Sequence, residues 1–179
     1  MTTDKVYLVG FMACGKSTVA RALSARLGWR AEDIDDLIEA RERRSIAEIF
    51  ARQGEPYFRS VEREMLRLVL PLRHAVVATG GGTFADPENR SMISRDGVTV
   101  WLDVPLAELV GRIPADGRRP LVADRTQLDR LYAARVESYQ LAQIRLPSTH
   151  LAVDDVVDRV LDALERLPPL LVRPPTGVS

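Results

Sequence analysis

Cysteine is almost absent from this sequence, which has a single one, Cys14, among its 179 residues. One cysteine cannot form a disulfide within the chain, so the sequence argues against a secreted protein held together by disulfides. Long apolar runs are also lacking, and none reaches the roughly 18 residues that a membrane-spanning helix requires. The residues before Val6 are few and polar, with no signal-peptide hydrophobic region, so we expect a cytoplasmic protein without membrane contact.

Neither sign of charge is in excess. The chain has 25 Lys and Arg and 25 Asp and Glu, and this balance argues against nucleic-acid binding, because proteins that bind nucleic acid are usually basic. The length fits one domain, and the 46% hydrophobic content is that of a globular protein. We predict a monomer with a single domain over residues 1–166. A flexible tail with four prolines and no helical periodicity follows over residues 167–179.

Short, continuously apolar runs alternate with segments of helical periodicity. Such runs are typical of parallel strands buried on both faces, and they predict strands at Val6–Val9, Ala75–Ala78 and Val98–Leu102. Leu151–Val153 is a candidate for a short final strand. The predicted helices are a stripe from Val19 to Leu27 closed by Gly28, a segment Arg59–Leu70 ended by Pro71, and a segment Val156–Leu164. This alternation predicts an α/β fold with a parallel sheet.

A glycine-rich loop follows the first predicted strand. Residues Gly10 to Ser17 read G-x-x-x-x-G-K-S, with a strand before them and an amphipathic helix after them. In that setting the backbone N–H groups of the loop bind phosphate, Lys16 reaches the β- and γ-phosphates of a nucleotide, and the Ser17 hydroxyl is placed for Mg²⁺. A chance glycine-rich turn is the alternative, and the context argues against it. The motif predicts ATP binding and leaves the phosphoryl acceptor open.

Two acids, Asp33 and Asp35, follow a short segment that leads out of Trp29. In an extended segment, residues two apart point to the same side, so both carboxylates would face one cleft. One acid near Mg²⁺ and one near an acceptor hydroxyl would suit phosphoryl transfer to an alcohol. The equally good alternative is an acidic helix start, with Asp36 as the capping residue.

Three further patterns are ambiguous one by one. Arg59 and Glu62 share a helix face and would suit a carboxylate clamp, although an ordinary surface ion pair is the better interpretation from spacing alone. Gly80, Gly81 and Gly82 follow a buried strand, which favours the close approach of a ligand over a flexible loop. Arg135 lies one turn from Tyr139 on a predicted helix, and alone it would be a solvated surface residue.

The segment from Gly111 to Leu121 has three arginines and no periodicity, so it is either a mobile cationic lid or a solvated basic loop. Asp103 ends an apolar run and could bind Mg²⁺, but Pro105 favours a turn that caps the next helix. The Cys14 thiol is either exposed and activated by the loop or buried and inert.

Together these motifs resemble the shikimate kinase family, over about Val6 to Leu164. The similar motifs occur in family order: the phosphate loop, D-x-D followed by I-E at Ile38 and Glu39, F-R-x-x-E at Phe58, Arg59 and Glu62, G-G-G at Gly80–Gly82, R-P-L at Arg119–Leu121, and R-x-x-x-Y at Arg135 and Tyr139. The phosphate loop is specific by itself, and the others are specific because all occur in sequence.

The resemblance implies a three-layer α/β/α fold of the nucleoside monophosphate kinase type, with about five parallel strands and a lid over residues 112–124. It implies Mg²⁺-dependent transfer of the γ-phosphoryl of ATP to the 3-hydroxyl of shikimate, in chorismate biosynthesis. Implied acceptor-binding residues are Asp35 (also the base), Arg59, Gly80, Gly81, Gly82 and Arg135. Implied nucleotide-binding residues are Ala13, Cys14, Gly15, Lys16, Ser17, Thr18, Arg112 and Arg119. Of these, Lys16 and Arg119 are also implied to be catalytic. The implied Mg²⁺ ligands are Ser17 and Asp33.

The sequence departs from the family pattern at Ala13, where the family has glycine; at a positive φ, alanine is disfavoured by roughly 1 kcal/mol. Ala31 is smaller than the usual apolar residue, and the region near residues 147–150 matches poorly. A gluconate or nucleoside monophosphate kinase is the nearest alternative, and the D-x-D and F-R-x-x-E motifs argue against it. The second alternative is a non-catalytic nucleotide-binding regulator, which the retained Lys16, Ser17, Asp35 and Arg119 argue against.

Overall fold

The computed structural model describes residues 3–112 and 125–168. Its strands are β1 (Lys5–Val9), β2 (Arg30–Asp33), β3 (Ala75–Ala78), β4 (Val98–Asp103) and β5 (Ile144–Pro147). Its helices are α1 (Lys16–Leu27), α2 (Ile34–Glu42), α3 (Ile46–Val69), α4 (Pro87–Asp96), α5 (Leu106–Val110), α6 (Arg125–Tyr139) and α7 (Val153–Glu165), with a short 3₁₀ turn at Thr83–Ala85. No helix of these two ranges is long and apolar enough to cross a membrane.

The five strands form one parallel sheet in the order β2-β3-β1-β4-β5. β1 lies at the centre, so the chain runs to one side of it for β2 and β3 and to the other side for β4 and β5. Ligands of such sheets bind beyond the carboxyl ends of the strands at this change of direction. The loop after β1 therefore occupies the position where the fold itself predicts a binding site.

The three strands predicted from apolar runs are confirmed, and their residues are buried. The candidate strand Leu151–Val153 is wrong, because the last strand is Ile144–Pro147 and Val153 already belongs to α7. β5 is an edge strand in which Leu146 alone is fully buried, so it lacks the continuous apolar run of a central strand.

The helix after the glycine-rich loop begins at Lys16, with Gly15 before it at φ 95°, and ends at Gly28 at φ 67°, as predicted. α3 is longer than the predicted Arg59–Leu70. It begins at a capping box formed by Ser45 and Glu48, and Gly54 breaks it with φ 79°. The kink separates the amino-terminal turns from the part of α3 that carries Arg59. Because it interrupts the helical periodicity, the sequence predicted only the part of α3 after the kink.

Candidate active site

The loop between β1 and α1 borders a cavity of about 270 Å³ at the carboxyl end of the sheet. Its lining includes Lys16, Ser17 and Thr18 from the start of α1, together with Ala13 and Gly15. Lys16 is largely buried, and its Nζ donates to the carbonyl oxygens of Gly10 at 2.9 Å and Phe11 at 2.7 Å. The loop thus surrounds a compact cavity at a helix N-terminus, which is the setting in which backbone N–H groups bind phosphate.

Two residues of the loop show how tightly it is folded. Ala13 has φ 62°, so the position where the family has glycine does require a left-handed conformation. The Cys14 side chain is 5% exposed and lies 3.7 Å from Lys16 Nζ, outside the lining of the cavity. Of the two possibilities for the thiol, the structure places it in the buried one.

The two acids lie at the junction of β2 and α2. Asp33 ends the strand and is the N-cap of the helix, with its Oδ1 accepting the Asp35 backbone N–H at 3.0 Å. The expectation that both acids lie on one extended segment is wrong, because Asp35 is already in the first turn of α2. The capping residue is Asp33, not Asp36. Asp33 and Asp35 nevertheless line the same cavities, because the junction aims both side chains beyond the sheet.

Ser17 and Asp33 form a pair of oxygen ligands beside the loop. The Ser17 hydroxyl donates to Asp33 Oδ2 at 2.5 Å, and both residues line the loop cavity. No cluster of three or more His, Cys, Asp or Glu suited to a metal occurs in the described ranges. A hydroxyl and one carboxylate fit Mg²⁺, which is commonly held by one or two protein oxygens together with substrate phosphates.

A second cavity, of about 300 Å³, adjoins the first and shares Ser17, Asp33, Asp35 and Gly81 with it. Its other polar lining comes from α2, α3, the glycine segment after β3, and α6: Asp36, Glu39, Arg59, Glu62, Gly80, Gly82 and Arg135. Ile46, Phe50 and Phe58 contribute an apolar wall. The lining therefore suits a small ligand with both an apolar face and anionic or hydroxyl groups.

Arg59 is anchored by two carboxylates on its own helix. Its NH1 donates to Glu62 Oε2 at 2.9 Å and its NH2 to Glu55 Oε1 at 3.0 Å. Burial opposes the charge of the guanidinium, but Glu62 and Glu55 raise the pKa of Arg59 above its ordinary value. Glu62 is fully buried, so this is not the exposed surface pair that spacing alone favoured.

Arg135 approaches the glycine segment at the same point as Arg59. It is 8% exposed, and the expectation of a solvated surface residue is wrong, because α6 packs this face against the segment. A Cβ placed on Gly82 would lie 2.6 Å from Arg59 NH1 and 2.9 Å from Arg135 NH1. Both guanidinium groups therefore approach the same point of backbone, and a side chain at Gly82 would have to displace them.

The glycines are also explained by the side chains of the site. A Cβ on Gly80 would lie 2.8 Å from Asp35 Oδ1 and 2.9 Å from Glu62 Oε1. The close approach inferred from the triple glycine is thus made by the protein's own charged groups. Tyr139, whose pKa is raised by burial, stays protonated and donates its hydroxyl to the Gly81 carbonyl, which ties α6 to this segment.

Other predicted residues lie apart from this arrangement or outside the described residues. Asp103 pairs with Arg145 at 2.7 Å and does not line either cavity; it does not cap α5, which begins after Pro105 without a side-chain cap. Arg112 lines the loop cavity and lies 3.5 Å from Glu108. Arg119, the rest of the predicted lid over 113–124 and the tail over 169–179 lie outside the described residues.

Sequence reasoning missed Thr83, whose hydroxyl donates to the buried Glu62 carboxylate at 2.7 Å. It also missed the apolar wall of Ile46 and Phe50. The sequence offered only their position next to recognised features. Thr83 directly follows the glycine segment, and Ile46 follows the capping residue of the helix that carries Arg59. Neither adjacency identifies a contact.

A five-stranded parallel sheet with this strand order, a phosphate-binding loop after its central strand and an adjoining acceptor cavity define an ATP-dependent phosphate-loop kinase of small molecules. Residues 12–165 match the sequence profile of the shikimate kinase family. The chain belongs to that family.

Individual relatives agree with this assignment. The shikimate kinase of Persephonella marina is 40% identical over 157 residues, which covers 87% of this chain and 96% of that enzyme. The shikimate kinase of Thermosynechococcus vestitus is 40% identical over 172 residues and covers 94% of this chain and 92% of that one. The structure of the Acinetobacter baumannii shikimate kinase in complex with shikimate aligns at TM-score 0.88 and 31% identity, over 93% of this chain and 97% of that one. A deoxyadenosine kinase from M. mycoides, at TM-score 0.64 and 16% identity, shares the fold alone.

Proposed function

We propose that this protein transfers the γ-phosphoryl of ATP to the 3-hydroxyl of shikimate, giving shikimate 3-phosphate and ADP. The observation that carries the proposal is the meeting of Arg59 and Arg135 above Gly82, in a cavity that adjoins the phosphate-loop cavity. Two guanidinium groups at one point suit a carboxylate, which each can bind through paired N–H donors. Shikimate presents one carboxylate on a small ring with three hydroxyl groups.

Asp35 is the proposed general base. It lines both cavities, so it lies where an acceptor hydroxyl would meet the terminal phosphate of a nucleotide. With the acceptor carboxylate held by Arg59 and Arg135, the ring would present a hydroxyl toward Asp35. Phosphoryl transfer is promoted mainly by positioning and by stabilisation of charge. We therefore assign Asp35 to orienting the hydroxyl and accepting its proton.

Lys16 and the loop backbone would bind the phosphates, with Arg112 beside the nucleotide and Arg119 reaching the phosphates from the predicted lid. Ser17 and Asp33 would hold Mg²⁺, Asp33 through water. The 2.5 Å hydrogen bond between these two residues in the loop cavity supports a shared oxygen site. Bound Mg²⁺ would neutralise charge on the transferring phosphate.

The functional context is also part of the proposal. ATP and shikimate are intracellular metabolites, so we place the activity in the cytoplasm, within chorismate and aromatic amino acid biosynthesis. A monomer remains our expectation.

An acceptor panel tests the proposal. ADP formation is measured with ATP and Mg²⁺ in the presence of shikimate, gluconate or AMP. We expect rapid turnover with shikimate alone. Preference for gluconate or AMP would assign the cavity to a different acceptor, and nucleotide binding without turnover on any of the three would support a non-catalytic regulator.

A further inference from the structure

A buried hydrogen bond joins two segments of the acceptor site. Thr83 begins the short turn after the glycine segment, and Glu62 lies on α3, 21 positions earlier. Both residues are 0% exposed, and the Thr83 hydroxyl donates to Glu62 Oε1 at 2.7 Å. Thr83 does not line the acceptor cavity, so it acts on a ligand only through its partner.

The two oxygens of Glu62 are divided between two donors. Oε1 accepts from Thr83, and Oε2 accepts from Arg59 NH1 at 2.9 Å. A carboxylate is planar, so fixing the direction of one oxygen fixes the other. A buried carboxylate without a donor on one oxygen would also pay a desolvation penalty and rotate toward any available donor. The hydroxyl of Thr83 therefore determines the direction in which Glu62 holds Arg59.

The hydroxyl also lies beside a second acid. A Cβ on Gly80 would lie within 3.0 Å of three oxygens: Asp35 Oδ1, Glu62 Oε1 and Thr83 Oγ1. The Thr83 hydroxyl thus donates its hydrogen bond to the Glu62 oxygen that approaches the same point as Asp35 Oδ1. Because two carboxylates this close repel each other, a donor at this point keeps Glu62 directed toward Arg59.

We propose that Thr83 is a positioning residue for acceptor recognition, which sets the orientation of Arg59 through Glu62 and thereby strengthens binding of the acceptor carboxylate. The proposal rests on the proposed function, because it takes Arg59 as a carboxylate ligand. It assigns a specificity role to a residue with no contact to either cavity.

The test compares two deletions of a buried threonine hydroxyl. Thr83→Val removes the hydroxyl with little change of shape. Thr99→Val is the matched control, because Thr99 is also 0% exposed and its Oγ1 accepts from the Gln143 backbone N–H at 2.9 Å, near the amino end of β4 and away from the cavities. Both variants are expected to lose stability to a similar degree. Thr83→Val alone is expected to raise KM for shikimate by about tenfold, with KM for ATP and kcat changed by less than about twofold.

A rescue variant and a double-mutant experiment distinguish a positioning role of Thr83 from simple support of the core. Thr83→Ser keeps the hydroxyl and is expected to restore KM for shikimate. In the Arg59→Lys background, Thr83→Val is expected to add much less than its effect in the wild type, since the guanidinium that it positions is gone. If Thr83→Val does not fold, Thr83→Ala carries the same comparison.

Three results would overturn the inference: an unchanged KM for shikimate in Thr83→Val, an equal rise in Thr99→Val, or full additivity with Arg59→Lys. These outcomes differ from failure of the proposed function, in which the wild-type protein itself would not phosphorylate shikimate. A shikimate analogue with its carboxylate converted to a primary amide gives an independent readout. The preference for shikimate over this amide is expected to shrink in Thr83→Val and to be unchanged in Thr99→Val.

Discussion

Both ends of the sheet bury charged side chains, but they use them differently. At the amino end, Lys5 is 0% exposed, and its Nζ donates to Val69 O at 3.0 Å, Leu70 O at 2.7 Å and Asp96 Oδ2 at 2.6 Å. Asp96 also accepts from the Tyr7 hydroxyl. At the carboxyl end, Arg59 and Arg135 converge on one point beside two cavities.

The two clusters differ in whether the protein itself supplies a partner for every hydrogen-bonding group. Three acceptors use the three N–H donors of the Lys5 ammonium, so that cluster is complete within the protein and joins α3, α4 and β1. Burial lowers the pKa of Lys5, and the hydrogen bond and charge of Asp96 oppose this effect. At the other end Arg59 is held by Glu62 and Glu55 on its own helix, and the point where it meets Arg135 borders a cavity in which a ligand carboxylate would bind both guanidinium groups. Removing one partner of a closed cluster leaves other buried polar groups uncompensated, so we expect changes at Lys5 to affect stability and changes at Arg59 or Arg135 to affect ligand binding.

The largest expected effect comes from opening the closed cluster. Lys5→Met removes the buried cation, leaves two helix-end carbonyl groups without their donor, and takes from Asp96 its charged partner on β1, although the Tyr7 hydroxyl and Arg73 still donate to it. We expect the free energy of unfolding to fall by about 3–5 kcal/mol, measured by urea denaturation. KM for shikimate and for ATP should stay at wild-type values at a temperature where the variant is folded. A raised KM would mean that the two ends of the sheet are not independent.

The proposed base at the open end gives the next effect. Asp35→Asn keeps the shape of the side chain and removes its charge. We expect kcat to fall by roughly 100-fold or more, with little change in ATP affinity or in the unfolding midpoint. Asp103→Asn is the control, because that acid pairs with Arg145 outside both cavities and should leave kcat unchanged. Near wild-type turnover in Asp35→Asn would remove Asp35 from the role of base.

A smaller change weakens the carboxylate clamp without removing its charge. Arg59→Lys loses the planar guanidinium, so we expect KM for shikimate to rise by about tenfold and KM for ATP to change little. Arg63→Lys, one turn further along α3, is the matched control, because Arg63 pairs with Asp86 at 3.0 Å. Equal rises of both KM values in Arg59→Lys would indicate that Arg59 supports the helix only.

The smallest expected effect concerns the loop backbone. Ala13 has φ 62°, so Ala13→Gly should relieve strain and raise the free energy of unfolding by less than about 1 kcal/mol, part of the gain being offset by glycine's greater freedom in the unfolded chain. Ala31→Gly, in the β2 strand, should have the opposite sign. If Ala13→Gly destabilised the protein as much as Ala31→Gly does, the loop would not be strained at this position.

The sequence predicted the parts of the fold that depend on local pattern. The central strands β1, β3 and β4 each contain a nearly continuous apolar run, and the glycine-rich loop lies between a strand and a helix in sequence as in space. β5 was missed, and the residues of β2 were expected only as a short extended segment, because edge strands with polar residues lack that pattern. The kink at Gly54 likewise hid the first turns of α3.

The functional site could be predicted less completely from sequence pattern than the fold. Arg135 looks solvated in the sequence because its burial depends on how α6 packs against the glycine segment, and the capping role of Asp33 depends on where β2 stops. Thr83 carries no signal, because its partner Glu62 is distant in sequence. Spacing suggested candidates, but only the assembled fold shows which charges converge.

The position of the phosphoryl group on the product tests the central claim most directly. Wild-type protein is incubated with ATP, Mg²⁺ and shikimate, and the product is analysed by ³¹P and ¹H NMR. We expect a single monophosphate ester at the 3-hydroxyl, formed in step with ADP. Phosphate at another hydroxyl, or ADP formed with free phosphate and unchanged shikimate, would contradict it.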